Sequence, residues 1–125
     1  MDVLGVFSSN KELPIYSVEC GTKVASITFD CAWGAEKYPD KVRMIAADGH
    51  DVANHSHSHL RMGALDQSRI KSEIKQANSI LEELAGSKID LFRAPYGDYS
   101  NSVVATAREL GCYTIQWNVD SITCL

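Results

Sequence analysis

The chain alternates short apolar runs with segments of helical periodicity, and this alternation constrains the fold more than any other feature. Runs typical of strands lie at residues 15–18, 24–29, 89–92 and 113–117. Strands that alternate with helices form right-handed βαβ units, in which the strands run parallel. The pattern therefore predicts an α/β fold built on a mostly parallel sheet or barrel.

Three segments between or beside these runs predict helices. Pro39 suits the first turn of a helix that passes through Ala46 and ends at Gly49. The clearest helical pattern covers residues 66–84, with Ile, Ala and Leu on one face and Lys, Glu, Gln and Asn on the other. We expect that polar face to be solvated. A third helix is predicted over residues 101–110.

Length and charge limit the classes of function. At 125 residues, the chain is expected to form one domain, or part of one, over residues 1–125. A net charge of −4 lacks the basic excess that binds phosphates, so a nucleic-acid partner is not expected. No apolar run approaches the roughly 18 residues of a membrane span. The first residues also lack the basic segment of a secretory signal peptide.

Residues 55–59 read His-Ser-His-Ser-His and hold three of the chain's 4 histidines. Imidazole is the commonest protein ligand for divalent metals, so this run predicts a metal site, with a solvated histidine run as the alternative. Positions i and i+4 share a face on a helix, whereas i, i+2 and i+4 share a face on a strand. The spacing alone therefore leaves His57 open as a ligand beside His55 and His59.

Polar residues that follow predicted strands are candidates to complete such a site. Hydrolytic metal sites commonly add a carboxylate to two histidines, and Asp30 follows an apolar run, although such an Asp is more often a cap or turn residue. Arg93 precedes a bend containing proline and glycine; it could clamp a carboxylate or lie at the surface. Trp117 is most simply a core residue, and Asp120 a turn residue.

Three segments together resemble the motifs of the polysaccharide deacetylases of the NodB-homology type, carbohydrate esterase family four, and within them the sporulation-type branch. Residues 27–34 (ITFDCAWG) are similar to the motif Thr-Phe-Asp-Asp-Gly. Residues 54–59 (NHSHSH) fit His-[Ser/Thr]-x-x-His, and residues 92–97 (FRAPYG) fit Arg-x-Pro-x-Gly. The resemblance extends over residues 13–121 and implies an incomplete (β/α) barrel of the NodB type.

The resemblance also implies an activity. It is that of a metal-dependent hydrolase that removes N-acetyl groups from peptidoglycan or chitin-like amino sugars, with an N-acetylated polysaccharide as substrate. The implied cofactor is a divalent ion, zinc first and cobalt or nickel as alternatives. The family implies a location in the cell envelope, the spore or the extracellular space. The alternative is a catalytically silent carbohydrate-binding or metal-binding remnant, or a non-functional fragment.

Roles for individual residues follow from the same resemblance. His55 and His59 would hold the metal, which leaves His57 as a spacer in the motif. Asp30 would be the catalytic base, and Arg93 would orient its carboxylate.

Further residues of the motifs would contact the substrate. The backbone N–H of Tyr96 would stabilise the oxyanion of the tetrahedral intermediate. Pro95, Trp117 and Asp120 would lie along the substrate-binding surface.

The chain departs from the family pattern in four places. Cys31 stands where most of the family has a second Asp, and we expect it to pack as a buried small hydrophobe that does not bind the metal, with a thiolate ligand to zinc as the alternative. The fourth motif, Asp-x-x-Asp-Trp, survives only as Asp120. No histidine follows His59 to serve as the general acid of the fifth motif. Only 24 residues separate Asp30 from His55, so we expect a truncated and internally shortened chain that lacks one barrel strand.

Overall fold

The structure is a computed structural model that describes residues 11–32 and 34–121. It contains three α-helices, which are α1 (Pro39–Ala47), α2 (Gln67–Ala85) and α3 (Asn101–Glu109). It also contains two short strands and two 3₁₀ turns, which are β1 (Leu91–Phe92), β2 (Tyr113–Thr114), Ala35–Lys37 and Pro95–Gly97.

Local capping sets both ends of helix α2 and the start of helix α3. Helix α2 begins where Oδ1 of Asp66 accepts a hydrogen bond from the N–H of Arg69 at 2.8 Å, and it ends at Gly86, whose φ is 69°. Helix α3 begins where Oγ of Ser100 accepts from the N–H of Val103 at 3.3 Å. Because these signals are local, the sequence placed both helices to within about one residue.

Four extended stretches lie side by side and run parallel. Strands β1 and β2 pair with Phe92 opposite Thr114. A parallel bridge adds Asn54 beside Phe92, and a second adds Ile15 beside Ile115 on the other edge. The predicted α/β fold with parallel strands is therefore confirmed, although each strand is shorter than its apolar run.

The core lies between this sheet and the helices α2 and α3, which also pack against each other. Its buried side chains come from β1, both helices and the loops between them: Met62, Ile70, Ile74, Phe92, Ala94, Val103, Ala107 and Cys112. Full burial of each larger apolar side chain contributes about 1.5–3 kcal/mol. This cluster fixes the carboxyl end of β1, where the candidate site residues begin.

The prediction of a strand over residues 24–29 is wrong. Within the described part of the chain, no backbone ladder joins this segment to a neighbour. Ile27 and Phe29 are 81% and 87% exposed. A strand needs a neighbouring strand to pair with its backbone N–H and C=O groups. In its described residues, the short connection between Asp30 and His55 forms no strand that pairs with residues 24–29. The predicted strand at residues 15–18 is likewise reduced to a single bridge at Ile15.

A cleft of about 1310 Å³ separates residues 26–32 from helices α1 and α2. Apolar side chains on both sides line it, among them Phe29, Val42, Ile45 and Leu81. The cleft agrees with the expectation that one barrel strand is missing between Asp30 and the histidines. None of the helices in residues 11–32 and 34–121 combines the length and apolar character needed to cross a bilayer.

Candidate active site

The histidine run forms a tight turn just after the bridge at Asn54. Ser56 and His59 both adopt left-handed backbone conformations, with φ of 65° and 54°. Side chains stabilise this turn, because Oδ1 of Asn54 accepts from the N–H of Ser56 at 2.7 Å and Oγ of Ser56 accepts from the N–H of His59 at 3.0 Å. As a result, the rings of His55 and His59 lie edge to face with their centroids 5.0 Å apart.

His55 has the orientation expected of a metal ligand. Its Nδ1 lies 2.8 Å from the carbonyl oxygen of Arg93. A carbonyl can only accept, so Nδ1 carries the proton and Nε2 carries the free lone pair. That Nε2 lies 3.9 Å from Oδ2 of Asp30. Metal-binding histidines typically donate their other ring N–H to a backbone carbonyl or carboxylate in this way.

The surroundings of His59 favour the neutral form of its ring. Burial lowers the pKa of His59, and the neighbouring His55 lowers it further, against a smaller opposing effect of Asp30. Its ring lies 4.9 Å from that of Tyr96, again edge to face. Neutral imidazole is the form that binds metal ions.

His57 contacts side chains outside the His55 and His59 pair. Its Nε2 lies 3.6 Å from Oε1 of Glu36, and its Nδ1 lies 3.3 Å from Oγ of Ser58. The turn therefore gives His57 a separate neighbour from the His55 and His59 pair. Its exclusion from the metal site remains a prediction.

Asp30 is held by Arg93, the contact that the sequence motifs predict. Nη1 of Arg93 lies 2.7 Å from Oδ1 of Asp30 and also 2.7 Å from Oγ1 of Thr28. The Arg93 side chain is only 8% exposed, and its guanidinium lies 5.6 Å from the ring of Trp117. With Oδ1 engaged, Oδ2 is the oxygen that faces His55.

The donor atoms near this point are of the types that bind divalent ions. The rings of His55 and His59 and the nearby Asp30 carboxylate are ligand types of catalytic zinc sites. Within residues 11–32 and 34–121, no three His, Cys, Asp or Glu side chains lie close enough to enclose an ion together. Two imidazoles would therefore be the main protein ligands.

Cys31 does not behave as expected. It is exposed, so the prediction that it packs as a buried small hydrophobe is wrong. The physical reason is that residues 26–32 border the open cleft, where no layer of side chains from the described residues covers them. Whether the thiol binds metal is a separate question, and its absence from the ligand set stays a prediction.

The bend after Arg93 brings other predicted residues to the rim of the site. Pro95 is fully buried, and Tyr96 has a left-handed φ of 60° with its ring half exposed under the guanidinium of Arg61 at 4.4 Å. Trp117 is half-buried, and Asp120 is exposed. Contacts of Trp117 and Asp120 with substrate remain proposals, whereas the fully buried Pro95 presents no side-chain surface to a substrate.

Sequence reasoning missed the polar residues of α2 that face inward. Glu73 is buried, and its Oε2 accepts from the N–H groups of His57 and Ser58 at 3.1 and 2.7 Å. The expectation that the whole polar face of α2 is solvated is therefore wrong. Glu73 lies three residues after Ile70 and four before Ala77, so helical spacing places it on the apolar face.

Asn54 was also missed, and it ties the turn to the same helix. Its Nδ2 donates to the carbonyl oxygen of Ile74 at 2.9 Å and to Oδ1 of Asn78 at 2.7 Å. Asn54 is completely buried, so these bonds satisfy a group that would otherwise be costly to bury. The signal available in the sequence was the position of Asn54 directly before the first histidine.

Comparison with known proteins agrees with this arrangement. The family model for polysaccharide deacetylase matches residues 21–115, a range that includes Asp30, the histidine turn and Arg93. This chain belongs to the polysaccharide deacetylase family. The match covers most of the described residues and reaches the end of the sheet at Ile115.

Individual relatives of this deacetylase-family chain are longer than it is. It is 33% identical over 88 residues to the peptidoglycan-N-acetylglucosamine deacetylase of Bacillus cereus, covering 70% of this chain and 32% of that protein. A family 4 carbohydrate esterase from Streptomyces lividans, in complex with acetate, is 33% identical with a TM-score of 0.66, over 70% of this chain and 45% of its own.

A third similarity extends over more of the chain. A mutant of a CE4 family pseudoenzyme from Bacillus anthracis matches 90% of this chain and 50% of its own, with a TM-score of 0.83 and 25% identity. The chain thus spans about a third to a half of the length of these relatives. The incomplete NodB-type fold expected from the motifs is confirmed.

Proposed function

We propose that this chain binds one divalent metal ion through His55 and His59 and hydrolyses N-acetyl groups of amino-sugar polymers. The observation that carries the proposal is the position of Asp30. Its Oδ1 is held by Arg93 at 2.7 Å, while its Oδ2 faces Nε2 of His55 at 3.9 Å. A base, its orienting cation and two metal-ligand candidates therefore meet at one point.

The chemistry of amide hydrolysis gives each group a task. Water adds to the acyl carbon, the C–N bond breaks, and the amine leaves with a proton. A divalent ion bound here would supply Lewis acidity toward the acyl oxygen and the attacking water. Oδ2 of Asp30 is placed to accept the proton of that water, because Arg93 engages only Oδ1.

The bend at the end of β1 supports an oxyanion and substrate site in this proposal. Buried Pro95 fixes the backbone before Tyr96, whose N–H would donate to the developing oxyanion. The ring of Trp117 and the exposed carboxylate of Asp120 would contact the sugar. Aromatic rings offer sugars an apolar face, and carboxylates accept from hydroxyl groups.

The proposed substrate is an N-acetylated polymer of the peptidoglycan or chitin type, and zinc is the proposed ion, with cobalt or nickel as alternatives. The 33% identical Bacillus cereus deacetylase supports this class of substrate. With such a substrate, the protein would work in the cell envelope, the spore or the extracellular space, and a role in sporulation belongs to the same proposal.

A second candidate function is a silent domain that binds metal or carbohydrate without turnover. Two observations favour it. The similar Bacillus anthracis protein is a CE4 family pseudoenzyme. In addition, the described residues of this chain gather no cluster of three metal ligands, the number that catalytic zinc sites use, which favours a domain without turnover.

The two candidates differ in acetate release from an N-acetylglucosamine tetramer. The protein is loaded with zinc, and Asp30→Asn serves as the control that keeps the shape of the side chain but removes its basicity. Acetate release above the Asp30→Asn control, and abolished by a chelator, supports the deacetylase. Zinc binding without any acetate above that control would overturn it in favour of the silent domain.

A further inference from the structure

The buried carboxylate of Glu73 lies under the middle of the histidine turn. Its side chain is 2% exposed, although it belongs to the helix α2 and not to any of the three sequence motifs. Oε2 accepts from the N–H of Ser58 at 2.7 Å and from the N–H of His57 at 3.1 Å. Oε1 pairs with Nη2 of Arg69 at 2.9 Å, one helical turn earlier.

Burying a carboxylate is costly, so its hydrogen bonds must offset a large loss of solvation. Charge-assisted bonds to backbone N–H groups are short and strong, and here both N–H groups belong to consecutive residues of one turn. That turn also contains two left-handed residues, Ser56 and His59, which are unfavourable unless the surroundings hold them. The bonds of Glu73 therefore act on the strained part of the backbone.

The consequence for the site follows from chain geometry. His57 and Ser58 lie between His55 and His59, so fixing their N–H groups fixes the path of the chain from one ring to the other. With that path fixed, the two rings meet at 5.0 Å. Asn54 holds the other end of the turn through its bond to the N–H of Ser56 at 2.7 Å.

We propose that Glu73 is a positioning residue that sets the relative placement of His55 and His59 from helix α2. Its carboxylate bonds to backbone N–H groups and to Arg69, and in this proposal it takes no part in the chemistry. The inference rests on the proposed function in one respect only, which is that the histidine pair binds metal.

The test compares Glu73→Ala and Glu73→Gln with Glu83→Ala, which makes the same truncation at an exposed position of α2. Zinc affinity is measured by titration, and unfolding by urea is measured on the metal-free proteins. Outer residues that orient metal-binding histidines typically contribute about 10- to 100-fold in affinity. Glu73→Ala should lose that much, Glu83→Ala should match the wild type, and Glu73→Gln should fall between because its amide oxygen still accepts.

A second readout does not depend on metal. The amide protons of His57 and Ser58 are followed by NMR in the metal-free chain, where Glu73→Gln should shift both upfield and accelerate their exchange. If wild-type chain binds no zinc, the proposed function fails while these amide signals still decide the role of Glu73. Unchanged amide signals in Glu73→Gln, or wild-type zinc affinity in a folded Glu73→Ala, would overturn the inference.

Discussion

Nη1 of Arg93 lies 2.7 Å from Oδ1 of Asp30 and so joins the end of strand β1 to a segment that has no strand partner among residues 11–32 and 34–121. The same nitrogen also donates to Oγ1 of Thr28 at 2.7 Å. In a complete parallel sheet, backbone pairing would hold residues 24–29. Here one buried guanidinium contributes both to the geometry of the site and to the position of that segment.

Arg93→Ala should therefore loosen residues 26–31. Chymotrypsin cleavage after the exposed Phe29 should accelerate by at least about tenfold, because a hydrogen bond to a charged group contributes about 1.5–3 kcal/mol and 1.4 kcal/mol is a factor of ten. Arg43→Ala is the matched control, since Arg43 pairs with Asp40 on the exposed face of α1 at 3.0 Å. Equal cleavage rates for the two variants would contradict this role.

Gly97 is required where the bend after Arg93 meets the ring of Trp117. A Cβ at Gly97 would lie 2.8 Å from Nε2 of Gln116 and 3.0 Å from the Trp117 ring, at a φ of +62°. Gly97→Ala should cost about 1–2 kcal/mol for the left-handed backbone alone, with a further loss from the clash. Urea unfolding measures the total.

The control for that variant is Gly49→Ala. Gly49 has a φ of +83° and open space around it, so this variant carries the backbone cost without the clash. Gly97→Ala should lose more stability than Gly49→Ala. The same loss in both would mean that the ring of Trp117 is not packed on this bend.

The cysteines should differ in reactivity. Cys112 is 2% exposed, and burial raises the pKa of its thiol, so the reactive thiolate is disfavoured. Cys20 and Cys31 are exposed. Peptide-level mass spectrometry after brief alkylation should find these two modified and Cys112 protected until urea is added. Modification of Cys112 at the same rate as Cys31 in folded protein would show that the core around α3 is open.

What the sequence predicted well depends on local signals. The bounds of α2 follow from the cap at Asp66 and the left-handed Gly86, which act within one turn of the chain. The pairing of Asp30 with Arg93 was expected from the motifs, and the hydrogen bonds of Arg93 to Thr28 and Asp30 join the two segments although residues 24–29 are not in the sheet. Local chemistry and motif order were sufficient in these cases.

What the sequence did not predict depends on distant partners. The β-forming composition of residues 24–29 could not indicate that no neighbouring strand would be present, so the strand was wrong. The same missing layer leaves Cys31 exposed. Glu73 is of a residue type that is usually solvated on a helix. Helical spacing indicates that it lies on the apolar face, but its acceptor role depends on partners 15 and 16 residues away.

Turnover should be slow even if the site works as proposed. Expulsion of the amine needs a proton, and no histidine follows His59 in the 125 residues. General acid catalysis is typically worth about 100- to 10,000-fold, so kcat on an N-acetylglucosamine oligomer should fall below that of the Bacillus cereus relative by a factor in this range. Equal turnover of the two zinc-loaded proteins would mean that another group, such as His57, supplies the proton.

Zinc titration of the three histidine variants tests the proposed site most directly. His55→Ala and His59→Ala should each lower zinc affinity by at least about tenfold. Each removes a proposed metal ligand, and loss of a ligand should reduce affinity at least as much as loss of a residue that orients it. His57→Ala should match the wild type, because the ring of His57 lies beside Glu36. An equal loss in His57→Ala and His55→Ala would contradict the proposed metal site.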